Sequence, residues 1–519
     1  MDSDVLRCGG RGLAMLAGAL CWCGAAAAEA PMSAIDWLSQ SVTDTAPVPA
    51  PPEPVTGVGV VTDAVSVTVL GAPSPDAVGV LPPSVTGLPR KLWGLGASDD
   101  IIALIASERP EPLPALRVLM LRLLLAEVEA PADAQGRGRM LLARVDRLLE
   151  MGAIEEAGAL IAAGRGSGAA EADLFRRAFD VAMLTGTEDR ACKEMRSAPH
   201  LAPTFPARVF CLARAGDWGA AALTLRTAQA LGHITPEEDD LLSRFLDPDL
   251  YEGDAPPVPP RPVTPLAWRM LDAIGEGLAT GTLPLAFAHA ELRDTAGWKA
   301  QIEAAERLAR AGVLDPNALL GIYTARLPAA SGGVWDRVEA FQRFDTALAA
   351  GDPGAVAASL PRAWGRMVEA ELEVPFATLF AERLMRLPLT GEAGALAFRV
   401  ALLSPAYERA AEGRVPETPA EAYLIGLARG DLAGVSPPDS MARAISPAFL
   451  RPEPGAVLAT LMAEDRLGEA ILVAIDRVGR GVQGDLRGVT EGLSLLRQVG
   501  LEAMARQTAL ELMLLERRG

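Results

Sequence analysis

The chain of 519 residues carries 48 basic and 66 acidic residues, a formal charge of −18, and is 50% hydrophobic but only 5% aromatic. That surplus of acid opposes nucleic-acid or anionic-lipid binding, which needs a basic face. Ala, Leu and Arg dominate, with Lys only at Lys91, Lys193 and Lys299, a palette that favours helix over sheet.

Residues 1–30 read as a secretory signal peptide. Arg7 and Arg11 precede the apolar run Leu13 to Trp22, and Ala28-Glu29-Ala30 supplies the small-residue cleavage site. The run is shorter than the roughly 20 residues a spanning helix needs. A lipoprotein reading through Cys21 or Cys23 is the weaker alternative, because Leu20 and Trp22 are bulky where that processing site wants small residues. No later segment is long and charge-free enough to span a membrane. The mature protein is therefore expected to be exported, soluble and periplasmic, without an integral membrane segment.

Residues 31–43 are expected to form a short helix or linear motif, with Ser33 as N-cap and Ile35, Trp37 and Leu38 as its apolar cluster. An isolated helix shorter than about 12 residues is marginal in water, so these three side chains are candidate partner-binding residues that order only on docking. Residues 44–90 are expected to be a disordered Pro/Val-rich linker. Ten prolines fall between Thr43 and Arg90, and only Asp63 and Asp76 are charged between Val55 and Pro89. Within it, Val65 to Val69 alternates as a strand does.

From Ser98 onward the period becomes helical, with Leu116, Leu119, Met120, Leu123 and Leu124, then Leu141, Leu142, Val145, Leu148 and Leu149, at three and four spacing. Residues 91–246 make a first helical-repeat block. A second proline-rich linker covers 247–265, and Thr264-Pro265 opens a second block, 266–519, because proline is tolerated at the first helical position. Cys211 to Gly232 reads as a helix end, a tight turn at Gly216-Asp217 and a new helix. Related turns recur at Gly312, Gly351, Gly391 and Gly430, spaced by 39, 40 and 39 residues. The expected fold is all-α: helical hairpins stacked as an α-solenoid in two blocks, behind a disordered arm.

The turns Ala213-Arg214-Ala215-Gly216-Asp217-Trp218, Ala349-Ala350-Gly351-Asp352 and Leu427-Ala428-Arg429-Gly430-Asp431 resemble the inter-helix turn of tetratricopeptide-like repeats. The match covers these turns and the helices beside them, and the Trp-x-x-Leu-Gly-x-x-Tyr part of the consensus is missing. The resemblance implies a concave protein-binding surface.

Motifs for common chemistries are missing. His200, His233 and His289 stand in no metal-ligand spacing, and neither a phosphate-binding G-x-x-x-x-G-K-[ST] loop nor a G-x-S-x-G elbow occurs. The acidic cluster Glu237 to Asp240 falls where a helix begins, and the helix dipole accounts for acids there. Trp218, Trp268, Trp298, Trp335 and Trp364 are expected in the core or at hairpin contacts. No catalytic, cofactor or metal site is expected. Cys192 lies five residues before Ser197 and Cys211 five after Pro206, equal distances from one inter-helix connection, so a disulfide is expected in an oxidising compartment. The expected role is a non-enzymatic adaptor or scaffold for another envelope protein. The alternatives are a peptidoglycan-cleaving hydrolase with an unrecognised carboxylate site, and a periplasmic chaperone.

Overall fold

Helices alternate with short turns along a computed structural model that describes residues 74–107, 113–166 and 170–515. The expected signal peptide, the segment holding Ile35, Trp37 and Leu38, and the linker up to residue 73 lie outside the described residues. Among the described residues there are twenty-four α-helices and no β-strand, only one isolated bridge between Leu81 and Ala126. None of these helices is long and apolar enough to cross a membrane.

Local chemistry sets many of the boundaries. Thr204, Asp217, Thr235, Thr264, Asp315, Asp352, Thr418, Asp439 and Asp485 each stand before a helix and accept one of its free amides. Thr235 and Glu238 form a reciprocal capping box, and Glu237, Glu238 and Asp239 of that cluster lie in a first helical turn. The Gly216-Asp217 turn joins the helices Phe205–Arg214 and Trp218–Leu231 as expected, with Gly216 at φ +83°.

Residues 74–90, expected to close a disordered linker, are packed. Pro75 and Pro83 start short helical turns, where a missing amide costs nothing. Asp76 is 1% exposed and accepts from the amides of Gly138 and Leu141. It therefore caps the helix Arg139–Glu150, whose own N-cap residue, Gly138, has no side chain to do so. Leu88, Leu92 and Trp93 enter the main core.

Segments near the two ends of the described chain meet. Ala115, at the start of the helix Pro114–Leu125, donates its amide to both carboxylate oxygens of Glu511 in the helix Glu502–Leu514. Gly468 donates to the Leu92 carbonyl at 2.8 Å, and Leu95 to that of Asp465 at 3.2 Å. Helices also touch across the proline-rich 247–265 segment, where Pro265–Ala273 packs on Glu171–Thr185. The main core includes a cluster of Tyr323, Phe341, Phe344, Phe376 and Phe380, with neighbouring ring centroids 4.8–6.3 Å apart.

Glycine sets the spacing of the C-terminal hairpin. The helices Leu467–Gly481 and Leu486–Gln498 approach so closely that a side chain on Gly492 would meet the Ala474 carbonyl oxygen at 2.8 Å. The helix Ser440–Leu450 packs along Leu486–Gln498, and Thr490 fastens the pair by donating its hydroxyl to the Ala444 carbonyl at 2.6 Å.

Candidate binding groove

Between Ser440–Leu450 and Leu486–Gln498 lies an open groove of ≈790 Å³. One wall is a helical face, Ser440, Arg443, Ala444 and Pro447, at three- and four-residue spacing, continued by Arg451 just past the helix end. The other wall is Leu486, Arg487, Thr490 and Glu491, and Glu453 with Gly455 closes one end. A second hollow of ≈300 Å³ shares Arg487 and Glu491 and adds Arg477, Arg480 and Asp485.

The charges differ in how they are held. Glu491 is buried and pairs with Arg477, and it accepts from Arg487 Nε at 2.8 Å. Gly455 makes room for that carboxylate: at φ +77°, a Cβ there would sit 2.6 Å from it. Arg480 pairs with Asp476, and Asp485 caps the Gly488 amide. Arg443 and Arg451 are exposed and take part in no ion pair among the described residues. Glu491 serves two guanidinium groups with one negative charge, so the Arg487 side chain, 86% exposed, brings further positive charge to the groove.

Pro447 adds a backbone feature. It lies inside its helix and has no amide hydrogen, so the helical hydrogen bond to the Arg443 carbonyl is not made. Arg443 and Pro447 share the groove face, which places the exposed proline ring beside the cations. None of these residues was singled out from the sequence. The available signal was Arg443, Pro447 and Arg451 recurring every fourth residue.

The sequence-derived candidates lie elsewhere. Cys192 and Cys211 stand opposite each other on Glu188–Ser197 and Phe205–Arg214, with Cα atoms 5.0 Å apart, and are joined as a disulfide. Ile35, Trp37 and Leu38 lie outside the described residues. His289 is partly buried with Nε2 2.8 Å from the Gly152 carbonyl, and burial lowers its pKa. His200 and His233 are exposed, the latter stacked on Phe205. Trp268 and Trp298 are buried, and Trp335 and Trp364 pack against the core. Trp218 is 53% exposed, because it opens its helix beside the turn rather than facing a neighbour. No group of three or more His, Cys, Asp or Glu gathers as a metal would require among the described residues.

One further acid stands out. Asp180 is partly buried on Glu171–Thr185, and burial lifts its pKa from 3.8 to about 6. Arg176 and Arg177 are near, but they pair with Asp173 and with Asp146 and Asp173 instead. Compared with known proteins, the chain matches no family model, no curated protein and no solved structure.

Proposed function

We propose that the chain is a non-enzymatic, exported adaptor or scaffold, a TPR-like α-solenoid of helical hairpins that holds another envelope protein in its C-terminal groove. The observation that carries this reading is the groove itself, with exposed arginines above a partly apolar floor. Apolar surface supplies adhesion while guanidinium groups fix orientation, the division of labour in a protein-recognition site. One wall belongs to the tightly packed hairpin and the other is a helix packed along it, so the site stays preformed and little ordering is lost on binding. The test is photo-cross-linking in intact cells from positions 443 and 487, with position 226 on the helix Trp218–Leu231 as control, then mass spectrometry. One stoichiometric envelope protein captured from the groove positions alone supports an adaptor. A changing population of captured proteins points to a chaperone.

A second reading, a peptidoglycan-cleaving hydrolase, draws on Asp180. A carboxyl whose pKa is lifted to about 6 has the property of a general acid near neutral pH. Release of muropeptides from sacculi by the purified chain, abolished by Asp180→Asn, would replace the adaptor reading with this one.

A further inference from the structure

We infer that the groove between Ser440–Leu450 and Leu486–Gln498 takes an extended acidic peptide segment of about five residues, with its carboxylates on Arg443, Arg451 and Arg487. This rests on the adaptor reading and adds the chemistry of the partner.

Length comes first. The helix Ser440–Leu450 has 11 residues and so runs about 16 Å at 1.5 Å per residue. An extended chain advances about 3.3 Å per residue, so about five residues fill that length. Charge comes second. Arg443 and Arg451 lack an ion pair, and Arg487 shares its only carboxylate partner with Arg477. Glu453 at the end of the groove offsets part of this. Three arginines face two glutamates in the lining, and the two arginines without an ion pair, with Arg487 beside them, suit a ligand with two or three carboxylates. The groove does not suit a nucleic acid, whose many phosphates meet a chain of net charge −18.

Apolar contact decides between a peptide and a simple anion. The exposed Pro447 ring stands between Arg443 and Arg451 in the groove lining. A free phosphate has nothing apolar to set on that ring. A peptide alternates acidic and apolar side chains, so one extended strand meets cations and ring together. The apolar side chains between the acids would rest on Ala444, Pro447 and Leu486.

The experiment is fluorescence anisotropy with the purified full chain and two labelled peptides, Glu-Leu-Glu-Leu-Glu and Gln-Leu-Gln-Leu-Gln. The acidic peptide should bind at least about tenfold more tightly, and added salt should weaken it. Arg443→Ala with Arg451→Ala should weaken it by about tenfold or more while leaving the circular dichroism unchanged, since neither side chain supports the fold. Arg226→Ala, on a distant exposed face, should change nothing. Equal affinity for the two peptides, or an unaffected double variant, overturns the inference. So does displacement of the peptide by inorganic phosphate at matching concentration, or tighter binding of a single-stranded oligonucleotide. If the wild-type chain self-associates and the double variant does not, the occupant is a second copy and the inference also fails. The two readings separate cleanly. A single envelope protein cross-linked from position 443 alongside indifference to the acidic peptide removes only the peptide. Muropeptide release with intact peptide binding removes only the adaptor.

Discussion

Arg144 is fully buried, and its guanidinium is divided among three backbone carbonyls: Nε to Leu124 at 2.7 Å, Nη1 to Val78 at 2.6 Å and Nη2 to Ala126 at 2.9 Å. Burial lowers its pKa to about 10, partly countered by Asp76, so it remains charged at neutral pH. Arg144→Met keeps much of the volume and removes the charge. Three hydrogen bonds to a charged donor, at about 1.5–3 kcal/mol each, set an upper bound of roughly 5–9 kcal/mol. Removing a buried cation also relieves several kcal/mol of desolvation, so the net loss should be about 3–5 kcal/mol. For roughly 440 packed residues the unfolding entropy is near 0.9 kcal/mol per kelvin, which makes this a fall of about 3–5 °C in melting temperature. Hydrogen exchange supplies the local readout. Val80 and Leu81 donate their amides to the Leu125 carbonyl beside the lost contact, so their protection should drop before that of the aromatic cluster. A melting temperature within about 1 °C of wild type, with Val80 and Leu81 still protected, would refute the assignment of Arg144 as the tie that holds residues 74–92.

Gly492→Ala should cost about 1–3 kcal/mol and lower the denaturant midpoint, because the added carbon meets the Ala474 carbonyl oxygen at 2.8 Å and runs into the Val478 side chain. Folding keeps a proton on Asp180 between pH 3.8 and about 6, so its contribution is present at low pH and lost as pH rises through 6. Asp180→Asn should therefore raise the melting temperature at pH 7.5, by at most about 3 kcal/mol of stability, and leave it little changed near pH 4; equal shifts at both would count against a buried ionised carboxylate. Opening the Cys192–Cys211 loop, of sequence separation 19, should cost about 3 kcal/mol on the chain-entropy model, and thiol labelling of denatured, unreduced protein should find neither cysteine reactive.

How far the sequence can be read depends on how far apart the interacting groups are. Asp217, Thr235 and Thr264 cap the helices directly after them, so the residue and its effect sit in one short window. Asp76 caps a helix more than sixty residues away and Glu511 one nearly four hundred away, and no local pattern marks either pairing. The ten prolines before Arg90 suggest disorder because proline is judged by the bonds it cannot make. What orders residues 74–90 are contacts with Gly138, Leu141 and Arg144. The repeated Gly-Asp turn is legible as a turn but not as one geometry. Asp352 caps the next helix directly, whereas Asp431 caps Ala433 in a loop, because Pro437 and Pro438 delay the next helix until Ser440. The groove was hidden for a related reason. Arg443 and Arg451 look like any solvated arginines until Leu486–Gln498 is laid beside them.

The groove also depends on residues far from it in sequence. Arg487 is aimed by Glu491, and Glu491 is held in turn by Arg477 on Leu467–Gly481. That helix starts against the N-terminal segment: the Trp93 ring lies where a side chain on Gly468 would stand, and the Gly468 amide is fixed by the Leu92 carbonyl. Residues 88–96 are anchored through the same stretch that Arg144 ties down at Val78. Apart from the exposed Arg487, each link is a close contact between buried or partly buried groups, which tolerate displacement poorly. The packing of residues 74–96 against the C-terminal hairpin therefore does more than bury Leu88, Leu92 and Trp93. It supports the helix whose arginine sets the charge balance of the groove, and so places a stretch with the composition of a linker within the framework of the binding site.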